Sequence, residues 1–227
     1  MPHDRFYVDA LLEEEVTLNG EEFHHLSRVM RKAVGDVVEL VNGKGTLATA
    51  TLTHLSKDKG ILSVNHAETK PPLLPPLTLI QALPKTSHLE WIFQKGTELG
   101  VSRFVVYPSA QSEKKDLSEN QKRRLHHILI GAMKQCGRLD LPTFEWGLPS
   151  LEGTVFFGDL TPGAPLLSEV ASLPATLMIG PEKGWTHEEL ERLRAKGQGV
   201  RIAPYTLRAE TAAIAALSIL VGTPVKP

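Results

Sequence analysis

Two short segments near the end of the chain carry the residue types best suited to holding a ligand. Gly180-Pro181-Glu182-Lys183-Gly184 and Leu207-Arg208-Ala209-Glu210 each follow a short apolar run and precede a predicted helix. Glycines let a backbone approach a ligand closely, and the amides at a helix start point toward whatever lies in front of it. Two such turns can together enclose a ligand, but each can equally be an ordinary strand-to-helix turn with surface charges.

The second segment opens a helix of unusual composition. Residues 212–221 are almost all alanine, isoleucine, leucine or valine, so this helix must be buried by its own domain or by another subunit. Arg208 and Glu210 then lie at the mouth of a buried element. Charged residues in such a place form either a structural ion pair or part of a site, and the sequence leaves both interpretations open.

Other kinds of site find little support. The chain has no Gly-x4-Gly-Lys-Ser/Thr loop, no Gly-x-Gly-x-x-Gly turn after a strand, no His-Glu-x-x-His and no Gly-x-Ser-x-Gly. The pairs His24-His25 and His126-His127 diverge by about 100° on a helix, so we predict no metal site. Cys136 lies on the apolar stripe of a predicted helix and is expected to be a buried structural thiol, with Gly137 ending the helix.

Composition sets the broad class. The 227 residues are 41% hydrophobic, enough for a stable core, and 25 basic residues nearly balance 26 acidic ones. A polyanionic partner would therefore have to bind a local basic patch. The single cysteine excludes an intramolecular disulfide, and neither the start of the chain nor its longest apolar run resembles a targeting or membrane segment. We expect a cytoplasmic protein with no membrane contact.

The elements that must position these segments fall into two groups. Between residues 5 and 68, short β-rich runs are separated by hairpin-type turns, which is typical of a small barrel. One amphipathic helix is predicted within it, over residues 21–32. Four prolines in residues 71–76 favour an extended linker. We therefore predict one domain over 1–70 and a second over 77–227.

After the linker, predicted strands alternate with predicted helices, which indicates a parallel sheet covered on both faces. The first strands are expected at 77–82 and 103–107, and the first helices at 87–99 and 118–136. Capping boxes, in which two side chains satisfy free amides at a helix start, are predicted at Ser87/Glu90, Ser118/Gln121 and Thr186/Glu189.

Four motifs then occur in order: Gln-Lys-Gly-Thr-Glu-Leu-Gly-Val at 94–101, Gln-Cys-Gly-Arg at 135–138, Ile-Gly-Pro-Glu-Lys-Gly at 179–184 and Leu-Arg-Ala-Glu-Thr-Ala-Ala at 207–213. Together they resemble the bacterial 16S ribosomal RNA uridine-N3 methyltransferases, a family of the SPOUT class. The segment from His24 to Asp36 resembles the PUA-like barrel of that family, so the resemblance covers essentially the whole chain.

The resemblance implies an α/β fold: a C-terminal SPOUT-type parallel-sheet domain with a deep trefoil knot, preceded by a small PUA-like β-barrel. It implies a homodimeric enzyme that uses S-adenosyl-L-methionine to methylate N3 of a uridine in 16S ribosomal RNA or the small ribosomal subunit. In such enzymes the knot forms the cofactor pocket, although threaded chains are otherwise rare. The residues it assigns to the cofactor are Leu160, Ile179, Gly180, Glu182, Gly184, Ile202, Leu207 and Thr211.

The chemistry of that reaction needs help from the protein. Uridine N3 is a poor nucleophile while protonated, so a base, or a cation beside the developing negative oxygens, must assist. Arg208 is the first candidate for this cation or for aligning the base, followed by Glu98, Arg138 and Glu210. A helix-end carboxylate for Glu98 and a phosphate contact for Arg138 are equally open interpretations.

RNA is expected to be held by patches of both domains. The residues proposed for it are Arg5, His25, Arg28, Arg31, Lys32, Lys114, Lys115 and Arg123. Two other functions stay open: a knotted methyltransferase for another RNA site, and a non-catalytic RNA-binding factor with the same fold. Binding of S-adenosylmethionine would separate the second of these from an enzyme.

Overall fold

The computed structural model describes residues 4–223, which form two compact units. The first unit runs to Leu73 and also includes Ile130–Leu141, and the second comprises Leu74–Leu129 and the described residues from Pro142 onward. The chain thus passes between the units inside the proline-rich segment. The domain limits expected from the sequence, 1–70 and 77–227, stay a prediction. They assigned Ile130–Leu141 to the second domain, whereas in the structure this segment belongs to the first unit.

The first unit is a small sheet with one short helix. Its elements are β1 (Arg5–Tyr7), β2 (Glu15–Leu18), α1 (Gly20–His24), β3 (Val37–Val41), β4 (Thr46–Leu55) and β5 (Gly60–Thr69). The strand order is β1-β3-β4-β5-β2, with β1 parallel to β3 and the other pairs antiparallel. Alternate side chains of these strands close over one core, which contains Phe6, Leu40, Leu52 and Leu62.

The helix predicted over 21–32 is shorter and less regular than expected. α1 ends at His24, and the chain continues as a wider π-helical turn over His25–Val29. Arg31 then adopts a φ of 54°, a left-handed conformation that stops the helix. In a regular α-helix Val29 would share the apolar face of Phe23 and Leu26, but it is 57% exposed, because the π-turn changes the angular spacing of the side chains.

The second unit alternates strands and helices along the chain. Its elements are β6 (Leu77–Ala82), α2 (Thr86–Glu98), β7 (Arg103–Tyr107), α3 (Glu119–Cys136, whose last turns belong to the first unit), β8 (Thr143–Trp146), β9 (Val155–Gly158), α4 (Leu167–Val170), β10 (Ala175–Ile179), α5 (His187–Arg194), β11 (Gln198–Val200) and α6 (Ala209–Gly222).

These strands form a six-stranded, wholly parallel sheet in the order β11-β9-β10-β6-β7-β8. Helices cover both faces. Phe93 of α2 stacks on Phe104 of β7 with ring centroids 4.4 Å apart, whereas Leu193 of α5 packs with Val105 on the opposite face. Burial on both sides explains why strands such as β6 are apolar without alternation. The predicted covered parallel sheet is therefore confirmed.

The helix starts follow the capping prediction in two cases. Thr186 Oγ1 accepts a hydrogen bond from the Glu189 amide at 3.2 Å, while the Glu189 carboxylate accepts one from the Thr186 amide at 2.9 Å. The same exchange precedes α3. The box predicted at Ser87 is wrong, because α2 begins one residue earlier, at Thr86, and Glu90 instead binds an arginine of α3.

The prediction for Cys136 is also wrong. Its side chain is exposed. Cys136 is the final residue of α3 and follows the turns in which Leu129 and Met133 are buried. Gly137, with a φ of 89°, ends the helix as expected. Within residues 4–223, none of the helices combines the length and apolar composition that a membrane span requires.

Candidate functional site

A cavity of about 620 Å³ opens at one edge of the parallel sheet of the second unit. Its walls are the segments that follow β9, β10 and β11, three strands that are neighbours in the sheet. Parallel strands present their carboxyl ends at the same edge, where the following loops meet and ligands bind in open α/β sheets. The two segments singled out in the sequence therefore face one space.

The wall after β10 is built around an indole ring. Trp185 Nε1 donates a hydrogen bond to the Gly158 carbonyl oxygen at 2.9 Å, and this ties the loop to the end of β9. A Cβ atom at Gly180 would lie 3.1 Å from Trp185 Cε2, closer than an ordinary contact, so the close approach of backbone and ring favours glycine. Gly184 has a φ of 76°, which a side chain would strain.

Gln81 of the neighbouring strand β6 holds the start of the wall that follows β10. This residue lies near the end of β6 and is almost completely buried, with 1% of its surface exposed. Its Nε2 group donates to the Ala82 carbonyl oxygen at 3.0 Å and, more weakly, to the carbonyl oxygens of Ile179 and Gly180, each at 3.4 Å. A buried amide that donates to two consecutive carbonyls fixes the direction in which the chain leaves the sheet.

The wall after β11 is held by the chain that follows β9. The Arg201 amide donates to the Pro165 carbonyl at 2.8 Å, and the Arg201 carbonyl accepts from the Leu167 amide at 2.8 Å. The guanidinium Nε adds a bond to the Ala164 carbonyl at 2.9 Å. The segment before α4 thus wraps around the segment that leads to α6, and this places Ile202 in the cavity wall.

All residues that the sequence assigned to the cofactor line this cavity, except Thr211. Thr211 belongs to α6 and is exposed, while Ala212, the next residue, lines the cavity. Their role in binding stays a prediction. The cavity also includes two residues with large exposed apolar surfaces, Leu160 at 70% and Tyr205 at 82%, at its open side.

Asp159 is the buried charge of the cavity. It accepts hydrogen bonds from Thr161 Oγ1 at 2.6 Å and from the Thr161 amide at 2.9 Å, and Arg194 lies 3.3 Å from its second oxygen. Burial alone would raise the pKa of Asp159, but these hydrogen bonds and the nearby guanidinium outweigh it and hold the pKa below its ordinary value. Asp159 is therefore an anion that fixes the loop after β9.

Of the four catalytic candidates, Arg208 is the one that the structure places in the cavity wall. It precedes α6 as the N-cap residue, its side chain is exposed, and it makes no ion pair with another residue in the range 4–223. Glu98 ends α2 and is paired with Lys95, with an Nζ to Oε1 distance of 2.8 Å. Arg138 lies in the first unit, where it is paired with Asp140.

Glu210 is turned away from the cavity lining and toward α2. One of its carboxylate oxygens lies 3.3 Å from Nδ1 of His88, and 15% of its side chain is exposed. Its role as a catalytic residue stays a prediction, and in the structure its carboxylate contacts a helix side chain outside the cavity lining. His88 was not anticipated, because a histidine inside a helical segment gives no pattern of its own.

The residues proposed for RNA binding divide into engaged and free side chains. Arg28 and Arg31 are exposed and make no ion pair with any other residue that the structure describes. The others are used within the protein. Arg5 pairs with Glu39, Lys32 with Asp4, His25 packs on Phe6, Lys114 binds Thr86, Lys115 binds the carbonyls of Ser109 and Ala110, and Arg123 binds Asn120.

Several residues of the site escaped sequence reasoning. Asp159 had a usable signal, because a polar residue directly after a buried strand marks the sheet edge where loops converge. Trp185 directly follows the glycine-containing segment at 180–184 but was given no role. Gln81 gave no signal, since one amide in an apolar run has no pattern. No group of three or more metal-binding side chains is found among the described residues.

Comparison with known proteins identifies the family. A model described as the RNA methyltransferase domain matches residues 70–152 and 159–221, and one described as the RNA methyltransferase PUA domain matches residues 18–65. The chain belongs to the RNA methyltransferase family. The matched ranges contain β3, β4 and most of β5 of the first sheet and every strand of the second sheet except β9. They also contain every residue that lines the cavity of this RNA methyltransferase except Gly158.

Named relatives agree with this assignment. The chain is 31% identical to the ribosomal RNA small subunit methyltransferase E of Bacillus subtilis, an alignment covering 95% of each chain. It is 32% identical to the protein of the same name from Synechocystis, over 92% of this chain and 74% of the relative. The similarity to these RNA methyltransferases thus extends over both units.

Solved structures show the same fold. A ribosomal RNA small subunit methyltransferase E of Neisseria gonorrhoeae, bound to S-adenosyl methionine, matches with a TM-score of 0.80 and 29% identity over 96% of this chain and 95% of that one. A Legionella pneumophila methyltransferase with bound cofactor SAM matches with a TM-score of 0.86 and 25% identity over 97% of both chains. The predicted fold, a knotted SPOUT-type α/β domain preceded by a PUA-like domain, is confirmed.

Proposed function

We propose that this RNA methyltransferase binds S-adenosyl-L-methionine in the cavity after β9, β10 and β11 and methylates N3 of a uridine in 16S ribosomal RNA. The observation that carries the proposal is the convergence of the glycine loop at 180–184 and the Arg208 segment on one cavity. The relatives named above, two of them with the cofactor bound, support the choice of ligand and of RNA. Such an enzyme is expected to work in the cytoplasm as a homodimer.

The residues present fit this cofactor. A volume of about 620 Å³ lies within the range usual for small-molecule pockets. Ile179, Ile202 and Leu207 supply apolar walls suited to a flat base, and the glycine loop brings backbone donors and acceptors close to them. Glu182 adds a carboxylate that can balance positive charge. When bound, the cofactor supplies an electrophilic methyl group on a sulfonium.

Arg208 would supply the charge that the substrate needs. Removing the proton from uridine N3 moves negative charge onto the two neighbouring carbonyl oxygens, and a guanidinium beside them stabilises that charge. Arg208 is exposed, unpaired among residues 4–223 and part of the cavity wall, so its donors are available. Glu98 and Arg138, which are paired elsewhere, are left as weaker candidates.

RNA would be held in part by the first unit, through Arg28 and Arg31, whose guanidinium groups are exposed. Phosphate contacts of this kind position the substrate without reading its sequence. The homodimer is supported by α6, in which the apolar residues Ile214 and Ile219 keep part of their surface exposed. A second subunit would bury that surface. Size-exclusion chromatography with light scattering measures the mass in solution, and the mass of a monomer would refute the homodimer.

The proposal is tested by binding and by transfer. Calorimetry should detect S-adenosylmethionine binding to the wild-type protein, and mass mapping of 16S ribosomal RNA should show one N3-methyluridine that disappears when the gene is deleted. Arg208→Ala should still bind the cofactor but lower kcat by about 10²- to 10³-fold, as is typical for loss of one charge-stabilising donor. Arg192→Ala, at an exposed arginine of α5, is the matched control. No cofactor binding, or no missing methyl group, would refute the proposal.

A further inference from the structure

His88 lies between the carboxylates of Glu182, which lines the cavity, and Glu210, which directly follows the lining residue Ala209 but does not line the cavity itself. Its Nδ1 atom is 3.3 Å from Glu210 Oε2 and 3.8 Å from Glu182 Oε1. Glu210 is in the first turn of α6, Glu182 is in the loop after β10, and His88 is in the first turn of α2. One side chain thus connects three elements that lie far apart in the sequence.

His88 and Glu210 are partly buried, whereas Glu182 is exposed. The exposed fractions of the side chains are 15% for Glu210, 29% for His88 and 36% for Glu182. His88 Nδ1 and Glu210 Oε2 are both buried, and neither has a hydrogen-bond partner of good geometry among the described residues. Buried polar atoms without partners are costly, so these two atoms are each other's natural partners after a small rotation of the ring.

The arrangement requires a hydrogen on Nδ1. Two carboxylates near one point repel each other, and a bare Nδ1 lone pair would add to that repulsion. An Nδ1–H group, present in the imidazolium and in one neutral tautomer, converts the contact with Glu210 into an attraction. Glu182 is held to the same helix a second time, since its Oε1 accepts from the Lys85 amide at 3.4 Å.

We propose that His88 is a positioning residue of the methyltransferase. Through Nδ1–H it clamps Glu210, and with it the first turn of α6, together with the Glu182 loop against α2. Arg208 lies two residues before Glu210, so the clamp fixes the backbone position from which the Arg208 side chain extends. The identity of the ligand rests on the proposed function, whereas the clamp itself does not.

Two variants separate the Nδ1–H group from the bulk of the ring. His88→Phe keeps a ring but has no donor, and His88→Asn keeps an amide donor near the position of Nδ1. Exchange of the amide hydrogens of Gly184 and Ala212 reports on the two walls, because their bonds to the Pro181 and Arg208 carbonyls, of 2.9 and 2.8 Å, close the two turns. Calorimetry with S-adenosylmethionine reports on the site.

His88→Phe should speed exchange at both amides by about tenfold and weaken cofactor affinity by about tenfold, as expected for loss of one charge-assisted hydrogen bond. His88→Asn should retain most of both properties. His126→Phe, at an exposed histidine of α3, is the control and should change neither. If His88→Phe does not fold, Glu210→Ala removes the acceptor instead and should speed exchange at Ala212 by a similar factor.

Each outcome decides a separate point. Unchanged exchange at either amide would overturn the clamp, whatever the cofactor does. Faster exchange with unchanged affinity would overturn the positioning role, and equal behaviour of His88→Asn and His88→Phe would mean that ring packing, not Nδ1–H, is responsible. A wild-type protein that binds no S-adenosylmethionine would refute the proposed function, while the exchange data would still decide the clamp.

Discussion

Replacing Gly180 by alanine would push a methyl group against the indole ring of Trp185. The new Cβ atom would lie 3.1 Å from Trp185 Cε2 and 3.3 Å from Cδ2 and Cζ2, whereas carbon atoms in optimal contact are about 3.5–4.0 Å apart. The ring would have to retreat by a few tenths of an ångström. Such a movement would strain the hydrogen bond from Trp185 Nε1 to the Gly158 carbonyl, which is 2.9 Å long.

Added volume in a packed region costs about 1–3 kcal/mol, and a strained or lost hydrogen bond about 1 kcal/mol. Partial relief by ring movement brings our expectation to about 1–2 kcal/mol of lost unfolding free energy, measurable by urea denaturation. Since Trp185 and Gly180 both line the cavity, S-adenosylmethionine should bind about tenfold more weakly in calorimetry.

Two further glycine-to-alanine variants isolate the cause. Gly131 lies in α3, and a methyl group added there would have no atom within 4 Å outside its own helix turns, so alanine should raise stability by about 0.5–1 kcal/mol. Gly184 also has open space but a φ of 76°, so alanine should cost about 1 kcal/mol through the backbone alone. A Gly180→Ala protein as stable as wild type would refute the argument from the indole contact.

Two other predictions concern charge. Because the native pKa of Asp159 lies below its ordinary value of 3.8, its stabilising effect is complete above that value and is lost as the pH falls through the lower, native pKa. Asp159→Asn should therefore be less stable than wild type at pH 7, with the difference shrinking in acid; parallel stability profiles would contradict this. Charge reversal at Arg28 and Arg31 should weaken RNA binding and reduce its slope against log salt concentration by about 1.5–2. Reversal at the exposed Lys57 and Lys59 of the β4–β5 hairpin is the control, and equal effects of the two pairs would argue against a specific role.

Local patterns in the sequence predicted the elements well. Strand β6 and strand β7 have the predicted bounds, and α3 begins within one residue of its predicted start, because apolar runs and a capping box are properties of neighbouring residues. The glycines at 180 and 184 could also be singled out from the sequence, because the conformational freedom of glycine does not depend on tertiary contacts. Local patterns did not predict where the helix over 21–32 would end, since in the structure it ends at His24 and continues as a π-helical turn.

The partners and exposure of each charged side chain were decided by tertiary structure. Arg5 and Arg28 look alike in the sequence, yet a facing strand supplies Glu39 to one and leaves the other exposed. Glu210 and Arg208 are two residues apart, yet only Arg208 lines the cavity, since α2 brings His88 to Glu210.

The sequence by itself therefore determined most of the strands and helices and the turns that favour glycine, since those properties depend on neighbouring residues. The placement of β9, β10 and β11 side by side, with their carboxyl ends at one sheet edge, determined which turns share a cavity. Partners such as Trp185 for Gly180 and His88 for Glu210 come from distant parts of the chain or from across a turn, and only the folded packing brings their atoms within contact distance.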